Sequence, residues 1–387
     1  MTTRVAIFEK AGETAESGPA NGIRPSFLLV LSAGCGLLAG LLEVGATLLH
    51  KQMFDINHLY EMSRHFIWLI PLANMCIFAA AGVVFSLAVL IWPVQGSRLS
   101  ARLLGALLLL PPLLAAFPRI HGLAWLALAL GVAARLVPVI ERRAACSERL
   151  VRGCLSVLAG VVVILAGSLW IADRTKEWRQ RSRPLPPPGS PNVLFIILDT
   201  VAADHLGLQG YGRPTSPTLD ELARRGIRFD RAQAPASWTL PSHASMFTGR
   251  WPHELSANWL TPLDGVHRTL AEFLGARGYA TAGFVGNTHY CAADSGLGRG
   301  FIEYHDYIFP RLTAFKPAAL VDRFLSGLEE FDRFLEDRLD FGFLRPAVQH
   351  LAWLVRADRK EAAVVSREFL DWLSRRPQPG VRRGSFF

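Results

Sequence analysis

Cysteine is scarce where it would matter most. Of the five cysteines, Cys35, Cys76, Cys146 and Cys154 lie in or beside long apolar runs, which leaves Cys291 alone in the polar remainder. A single thiol builds neither a disulfide framework nor a thiolate metal cluster there. Charge is equally sparse over residues 26–172, whereas 173–387 has the charge density of a water-soluble domain. The formal net charge is +9, yet no basic stripe interleaved with aromatics appears. Nucleic acid is therefore not an expected partner, and arginines flanking the apolar runs account for much of the charge. Residues 1–25 lack an apolar core and read as a flexible tail rather than a cleaved signal. The glycine-rich loop at 207–214 lacks the Lys-Ser/Thr ending of a phosphate loop and reads as a turn.

What the chain does have is apolar length. Hydrophobic residues make up 51% of the sequence, and the excess is concentrated in one half. Spanning helices are expected at about 26–49, 66–92, 101–117, 120–140 and 150–172, the first long enough to cross a ~30 Å core. The third is the shortest, and Pro111-Pro112 is expected to break it, so a re-entrant hairpin with the fourth is an alternative. Inner segments carry more Lys and Arg than outer ones until Arg174, Lys176, Arg179, Arg181 and Arg183 bring the two sides nearly level. Long translocated domains obey that rule weakly, so the expected orientation is N-terminus inside and C-terminal half outside. Glu43 and Arg135 fall within the spans; an interhelical pair, a snorkelling side chain and a transport or headgroup role all remain open. No repeat symmetry supports a transporter. Residues 173–191, basic and then proline-rich, read as a linker that holds 192–387 near anionic headgroups.

The soluble half alternates apolar runs with helical patterns, which predicts an α/β fold with a mostly parallel sheet. Val193 to Leu198, ending at Asp199, reads as a strand buried on both faces, with its carboxylate where open α/β sheets place their sites. A helix is expected over 216–225, a short strand over 227–232, an amphipathic helix over 269–277 and a buried strand over 280–285. In S-W-T-L-P-S-H-A-S-M-F-T-G-R, Thr239 stands ahead of a helix running from about Pro241 to Thr248 and stopped by Gly249. That helix start suits an incoming phosphate or sulfate. Helices are expected again over 317–338 and 361–375.

Four motifs in order, N-V-L-F-I-I-L-D-T-V-A-A-D-H-L-G, P-T-L-D-E-L-A-R-R-G-I-R-F, S-W-T-L-P-S-H-A-S-M-F-T-G-R and T-L-A-E-F-L-G-A-R-G-Y-A-T-A-G-F-V-G-N, resemble the N-terminal half of the sulfatase branch of the alkaline phosphatase superfamily. The resemblance covers about 191–304. It implies an incomplete alkaline-phosphatase-like α/β domain, which follows the multi-span helical region read from the apolar runs. It also implies a divalent cation (Ca, Mg, Mn or Zn) held by Asp199, Thr200 and Thr239, and ester chemistry on phosphate or sulfate. Thr200 stands where the family often has a second Asp, and His243 where it has an arginine that steadies the nucleophile and its oxyanion, a task His243 performs only when protonated. Threonine is not converted to formylglycine, so Thr239 would act directly as the nucleophile, as in related phosphatases and phosphoglycerol or phosphoethanolamine transferases.

The family's second metal-binding pair, Asp followed by His or Asn on a later strand, has no counterpart. Truncation or a frame shift is the expectation, which re-reading the downstream nucleotide sequence tests. His289, Asp294, His305 and Asp306 are the nearest substitutes by position, each with a plainer reading as a loop residue. Asp204 and His205 read as metal-site support or loop hydrogen bonding, and His253 and Asn287 as pocket lining or turns. The expected setting is the bacterial plasma or inner membrane with the catalytic half extracytoplasmic. There the lipid bilayer is the partner and a lipid headgroup or envelope glycan ester the substrate; the alternative is an inactive membrane protein whose partial domain only binds.

Overall fold

Small residues decide how the apolar helices meet. The structure is a computed structural model and describes residues 24–54, 63–143, 148–182, 185–306, 318–339, 345–356 and 359–375. Five of its helices are long and apolar enough to cross a membrane: α1 (Pro25–Met53), α2 (Phe66–Ile91), α3 (Pro93–Ala116), α4 (Gly122–Arg143) and α5 (Glu148–Arg181). A methyl group on Gly40 would lie 2.4 Å from Pro71 Cα, one on Gly36 2.7 Å from the Asn74 carbonyl oxygen, and one on Gly82 2.8 Å from Ser32. Rising numbers on α1 thus meet falling numbers on α2, an antiparallel pair whose backbones approach because those positions carry no side chain. Ser86 completes the register by donating its hydroxyl to the Pro25 carbonyl at 3.1 Å. Leu28, Ala39, Phe78, Val89 and Leu104 form the core between α1, α2 and α3.

Three expectations about this half change. Pro111 and Pro112 lie inside α3, which runs unbroken for 24 residues. Each proline withholds one N–H, and the loss is confined to the last two turns of the helix. The helix also starts at Pro93, a first-turn proline that the polar run after it had masked. The basic stretch Arg174 to Arg181, expected to belong to a linker, continues α5 because no Gly or Pro interrupts it. Glu43 is fully buried and accepts a 2.7 Å hydrogen bond from Asn74 Nδ2, while Arg135 is exposed; the two do not pair.

In the soluble half, α6 (Pro217–Arg225) begins with a proline. Behind it, Ser216 Oγ accepts from Gly207 N–H at 2.8 Å and donates to Asp220 at 3.0 Å. α7 spans Thr239–Thr248, and α8 (Leu270–Gly275) opens on a reciprocal cap between Thr269 and Glu272. Strands β1 (Ala282–Phe284) and β2 (Glu303–His305) pair in parallel, with Ala282 opposite Glu303. β2 escaped the sequence reading because E-Y-H has no apolar alternation. Helices α9 (Ala319–Leu339), α10 (Arg345–Arg356) and α11 (Ala362–Ser374) follow, and α10 is additional to the two that were expected. α11 covers the sheet: Phe369 and Trp372 meet Phe284 at 5.8 and 6.0 Å. Lys360 Nζ, fully buried, bonds the His305 carbonyl at 2.7 Å and Glu368 at 2.9 Å.

Two expected strands are not formed among the described residues. Residues 193–198 carry no ladder, and Leu194 and Ile196 are 57% and 68% exposed. Residues 227–232 likewise lack a ladder, with Ile227 86% exposed. A strand owes both its hydrogen bonds and its burial to neighbours, and no described strand lies beside either segment. Side chains still fix the first segment in place: Val193 packs on the Ala271, Leu274 and Tyr279 cluster, and Phe195 lies 6.1 Å from Phe247 of α7.

The α1–α2 contact gives a paired test. Gly40→Ala should destabilise the bundle by about 1–3 kcal/mol through overpacking, whereas Gly45→Ala, with open space at its Cβ position, should leave it unchanged. Thermal unfolding in detergent reads both; equal midpoints would remove the close-packing account.

Candidate functional site

The site is assembled by the way α7 is anchored. Leu240 and Ala244 are fully buried with Ala257, Leu263, Val285, Cys291 and Leu297, so the inner face of α7 is locked to segments on both sides of β1. Trp238 is extended and caps the helix, Ser242 N–H returns to the Trp238 carbonyl at 3.1 Å, and Gly249 ends the helix at φ 67°. Thr239 is thus the first helical residue rather than a residue ahead of a helix at Pro241. Its side chain stands at the positive end of the helix dipole.

Across from it, the Thr239 hydroxyl donates to the Asp199 carboxylate, 3.1 Å from Oδ2 and 3.3 Å from Oδ1. Asn287, just past β1, donates its amide to Asp199 Oδ2 at 2.8 Å. Three segments, 40 and 88 residues apart along the chain, therefore converge on one carboxylate. Asn287 is held in turn by the 359–374 segment: it pairs with Arg359 in an antiparallel bridge, and Lys360 N–H bonds the Gly286 carbonyl at 2.8 Å.

His243 lies one turn along α7, its Nδ1 2.8 Å from the Thr239 carbonyl. Burial holds its ring below the usual histidine range, against the opposing pull of that carbonyl and of the Asp199 charge. The ring is neutral near pH 7, so the protonated state that the arginine comparison called for is disfavoured, and Nδ1–H donates to the Thr239 carbonyl in the first turn of α7. Cys291 is no substitute ligand: burial first, and the Asp199 charge second, push its thiol up to about 12.

The remaining candidates lie apart from this cluster. Thr200 adopts a φ of 62°, a strained conformation for a β-branched residue, and is exposed beside Asp199 with no hydrogen bond to it among the described contacts. Asp204 and His205 pair with each other at 3.1 Å on the surface, and His253 is exposed. Asp306 takes the Ser63 hydroxyl and the Ala293 N–H, Asp294 meets Lys51, and His305 stacks on Phe284. Trp238 was passed over in the sequence although it directly precedes Thr239. Its ring centroid lies 5.9 Å from Trp259 and 6.2 Å from Tyr290, which makes a half-exposed aromatic wall beside Thr239.

The implied cation can be judged from the donors. Asp199, Thr239 and Asn287 offer one charge and three side chains, whereas a hard divalent cation takes six or more oxygens. No group of three or more His, Cys, Asp or Glu suited to a metal occurs among the described residues. The described residues by themselves do not fit a bound cation.

The Thr239 hydroxyl is thus held on the Asp199 carboxylate at the start of α7, with Asn287 just past β1 on the same carboxylate. Residues 191–313 match the family model described as Sulfatase, and this part of the chain belongs to that family. The segment is 40% identical over 108 residues to arylsulfatase A of Bos taurus, covering 26% of this chain and 21% of that protein. It is 30% identical over 127 residues to an N-acetylgalactosamine-6-O-sulfatase of Bacteroides thetaiotaomicron, covering 31% and 24%. To the steryl-sulfatase of Mus musculus it is 34% identical over 119 residues, covering 27% and 18%. The chain thus spans about a fifth of the length of the curated relatives it matches. No solved structure is significantly similar to it.

Because the folded ring binds its proton less readily than the unfolded one, the His243 contribution to stability is intact above about pH 6.5 and is lost as pH falls below it. His243→Asn keeps an N–H and removes the titration. The fall in melting temperature between pH 7 and pH 5 should therefore be smaller in the variant than in the wild type. Identical slopes in thermal unfolding would show that the ring is not held neutral.

Proposed function

We propose that the chain is a membrane-anchored, sulfatase-like protein that cleaves or transfers phosphate or sulfate esters, with the Thr239 hydroxyl as nucleophile. The observation that carries this reading is the hydrogen bond from Thr239 Oγ1 to Asp199, made within a segment of the sulfatase family. Thr239 Oγ1 attacks the phosphorus or sulfur, its proton passes to the Asp199 carboxylate, and the bond to the leaving oxygen breaks as the new ester bond forms. The leaving oxygen takes a proton from solvent. Water or an acceptor hydroxyl then attacks the phosphorus or sulfur of the threonyl ester and loses its proton to solvent, the bond to Thr239 Oγ1 breaks, and Asp199 returns its proton to Oγ1. Asn287, by donating to Asp199, favours its ionised form and aims it at the hydroxyl.

The aromatic wall of Trp238, Trp259 and Tyr290 suits the apolar or ring portion of the ester's alcohol. Five helices of membrane-spanning length on the same chain favour a substrate met at the bilayer surface, a lipid headgroup or an envelope glycan, with the soluble half outside the cytoplasm. A divalent cation is expected from the family, but with the donors described above no step is routed through one.

A second reading is supported by a specific observation, the incomplete donor set together with the exposed segment 193–198. In that reading the soluble half binds an ester without cleaving it. Turnover of p-nitrophenyl phosphate and p-nitrophenyl sulfate by the purified chain in detergent, with and without added Ca, Mg, Mn or Zn, separates the two. Turnover is expected to fall to background in Thr239→Ala and by about 10²–10⁴-fold in Asp199→Asn. Wild-type activity equal to that of Thr239→Ala under every metal condition would leave only the binding reading.

A further inference from the structure

Glu43 lies within an apolar helix, and the ester chemistry makes no use of it. Its side chain is 1% exposed, and one oxygen, Oε2, is taken by Asn74 of α2. The other, Oε1, accepts the backbone N–H of Ala319 at 2.6 Å, and Ala319 is the first residue of α9 in the other half of the chain, 276 positions away. The first turn of a helix leaves N–H groups unpaired and carries the positive end of the dipole. A buried carboxylate has the matching need for donors.

The neighbours show how deep this contact sits. Ala318 is fully buried, Leu325 is 2% exposed, and Leu320 packs against the α1–α3 core cluster. One turn further along α9, about 6 Å at 1.5 Å per residue, the Arg323 guanidinium reaches the Pro118 carbonyl in the turn between α3 and α4. The start of α9 is therefore set into the bundle below the level of that turn. At the same end of the bundle Ser63 donates to Asp306 at 3.0 Å, Lys51 lies 4.0 Å from Asp294, and Arg64 grips Asp173 of α5 through two bonds of 2.6 and 2.8 Å. Asp306 and Asp294 flank the segments that carry Asn287 and Cys291.

We infer that Glu43 docks α9 onto the helical bundle by capping its N-terminus, at the end of the bundle where Ser63 and Lys51 meet Asp306 and Asp294. Asn74 holds the carboxylate from behind, so that its free oxygen points at Ala319. The Lys51–Asp294 contact is long at 4.0 Å, and the bond of Ser63 to the buried Asp306 ties the bundle to a residue ahead of α9 rather than to α9 itself. The buried bond from the Ala319 N–H to Glu43 is the one that reaches the first turn of α9 and sets its seating. This role stands whether or not the cleft is catalytic.

Hydrogen exchange of the full chain in lipid nanodiscs tests it, with Glu43→Leu, Glu43→Gln and Ala319→Pro compared with the wild type. Ala319→Pro removes the donor without touching the bundle, since proline is compatible with the first helical position. Backbone amides of residues 320–331 should exchange about ten-fold or more faster in Glu43→Leu and in Ala319→Pro. Amides of α8 should be unchanged, and Glu43→Gln, which keeps an oxygen acceptor, should stay within about three-fold of the wild type. The double variant Glu43→Leu with Ala319→Pro should exchange no faster than either single one, because both break one bond. Wild-type exchange in Glu43→Leu, or multiplied effects in the double variant, would overturn the inference. If Glu43→Leu loses protection throughout the bundle, Ala319→Pro alone decides, and unchanged exchange there overturns it equally.

Discussion

The Asp199 carboxylate is the point on which the soluble half depends. It is the single anion of the candidate site, and it accepts from Thr239 on α7 and from Asn287 past β1. Neither donor would arrive without its own support. Thr239 is held because Leu240 and Ala244 bury the inner face of α7. Asn287 is held because the 359–374 segment clamps the end of β1 through Lys360, whose ammonium is desolvated and satisfied by Glu368 and the His305 carbonyl. Removing one partner of such a buried pair leaves an uncompensated charge, which costs about 3–5 kcal/mol in buried examples; Glu368 is partly exposed, so the effect here lies below that range. The geometry of the site is thus imposed by contacts that never touch a substrate.

The helical half works under a different constraint. Its five helices are long and apolar enough to cross a membrane, and for helices in an apolar medium contact brings no hydrophobic gain, which leaves close approach and a few polar bonds to hold them. Gly36, Gly40 and Gly82 supply the approach, and the Glu43–Asn74 bond supplies the polar tie. In water a lone glycine in a helix lowers stability relative to alanine by about 1 kcal/mol. Here the missing methyl lets the α1 and α2 backbones pack against each other, and the dispersion gained along the seam offsets that loss.

Much of this was legible in sequence where one residue type has one physical meaning. Pro217, Gly249 and Gly278 mark helix starts and stops, and the apolar runs mark the long helices, because each acts through local sterics or hydropathy. Thr239 and Asp199 were legible as a pair through the order of the motifs, and the structure brings them within hydrogen-bonding distance. What was not legible depended on neighbours. The run from Val193 to Leu198 has the composition of a buried strand, yet burial is a property of what lies beside it, and here it is exposed without a ladder. β2 reads as polar because its partner, not its pattern, makes it a strand. The tie from Glu43 to Ala319 spans 276 positions, and no local signal reports such a contact.

His243 shows how the same residue changes meaning once its surroundings are known. As a replacement for arginine it suggested a positive charge beside the nucleophile. Burial removes that option near pH 7, and the ring instead binds the carbonyl of the turn that presents Thr239. The site then has one carboxylate, a neutral imidazole and a neutral thiol, with the dipole of α7 as its fixed positive element. Such a site has little of its own to balance the two or three negative charges of the transition state for a sulfate or phosphate ester. Half an elementary charge at a helix terminus compensates only part of it. Any catalysis at Thr239 therefore requires positive charge from beyond Asp199, Thr239 and Asn287, whereas binding of an ester through the helix terminus and the Trp238 wall does not.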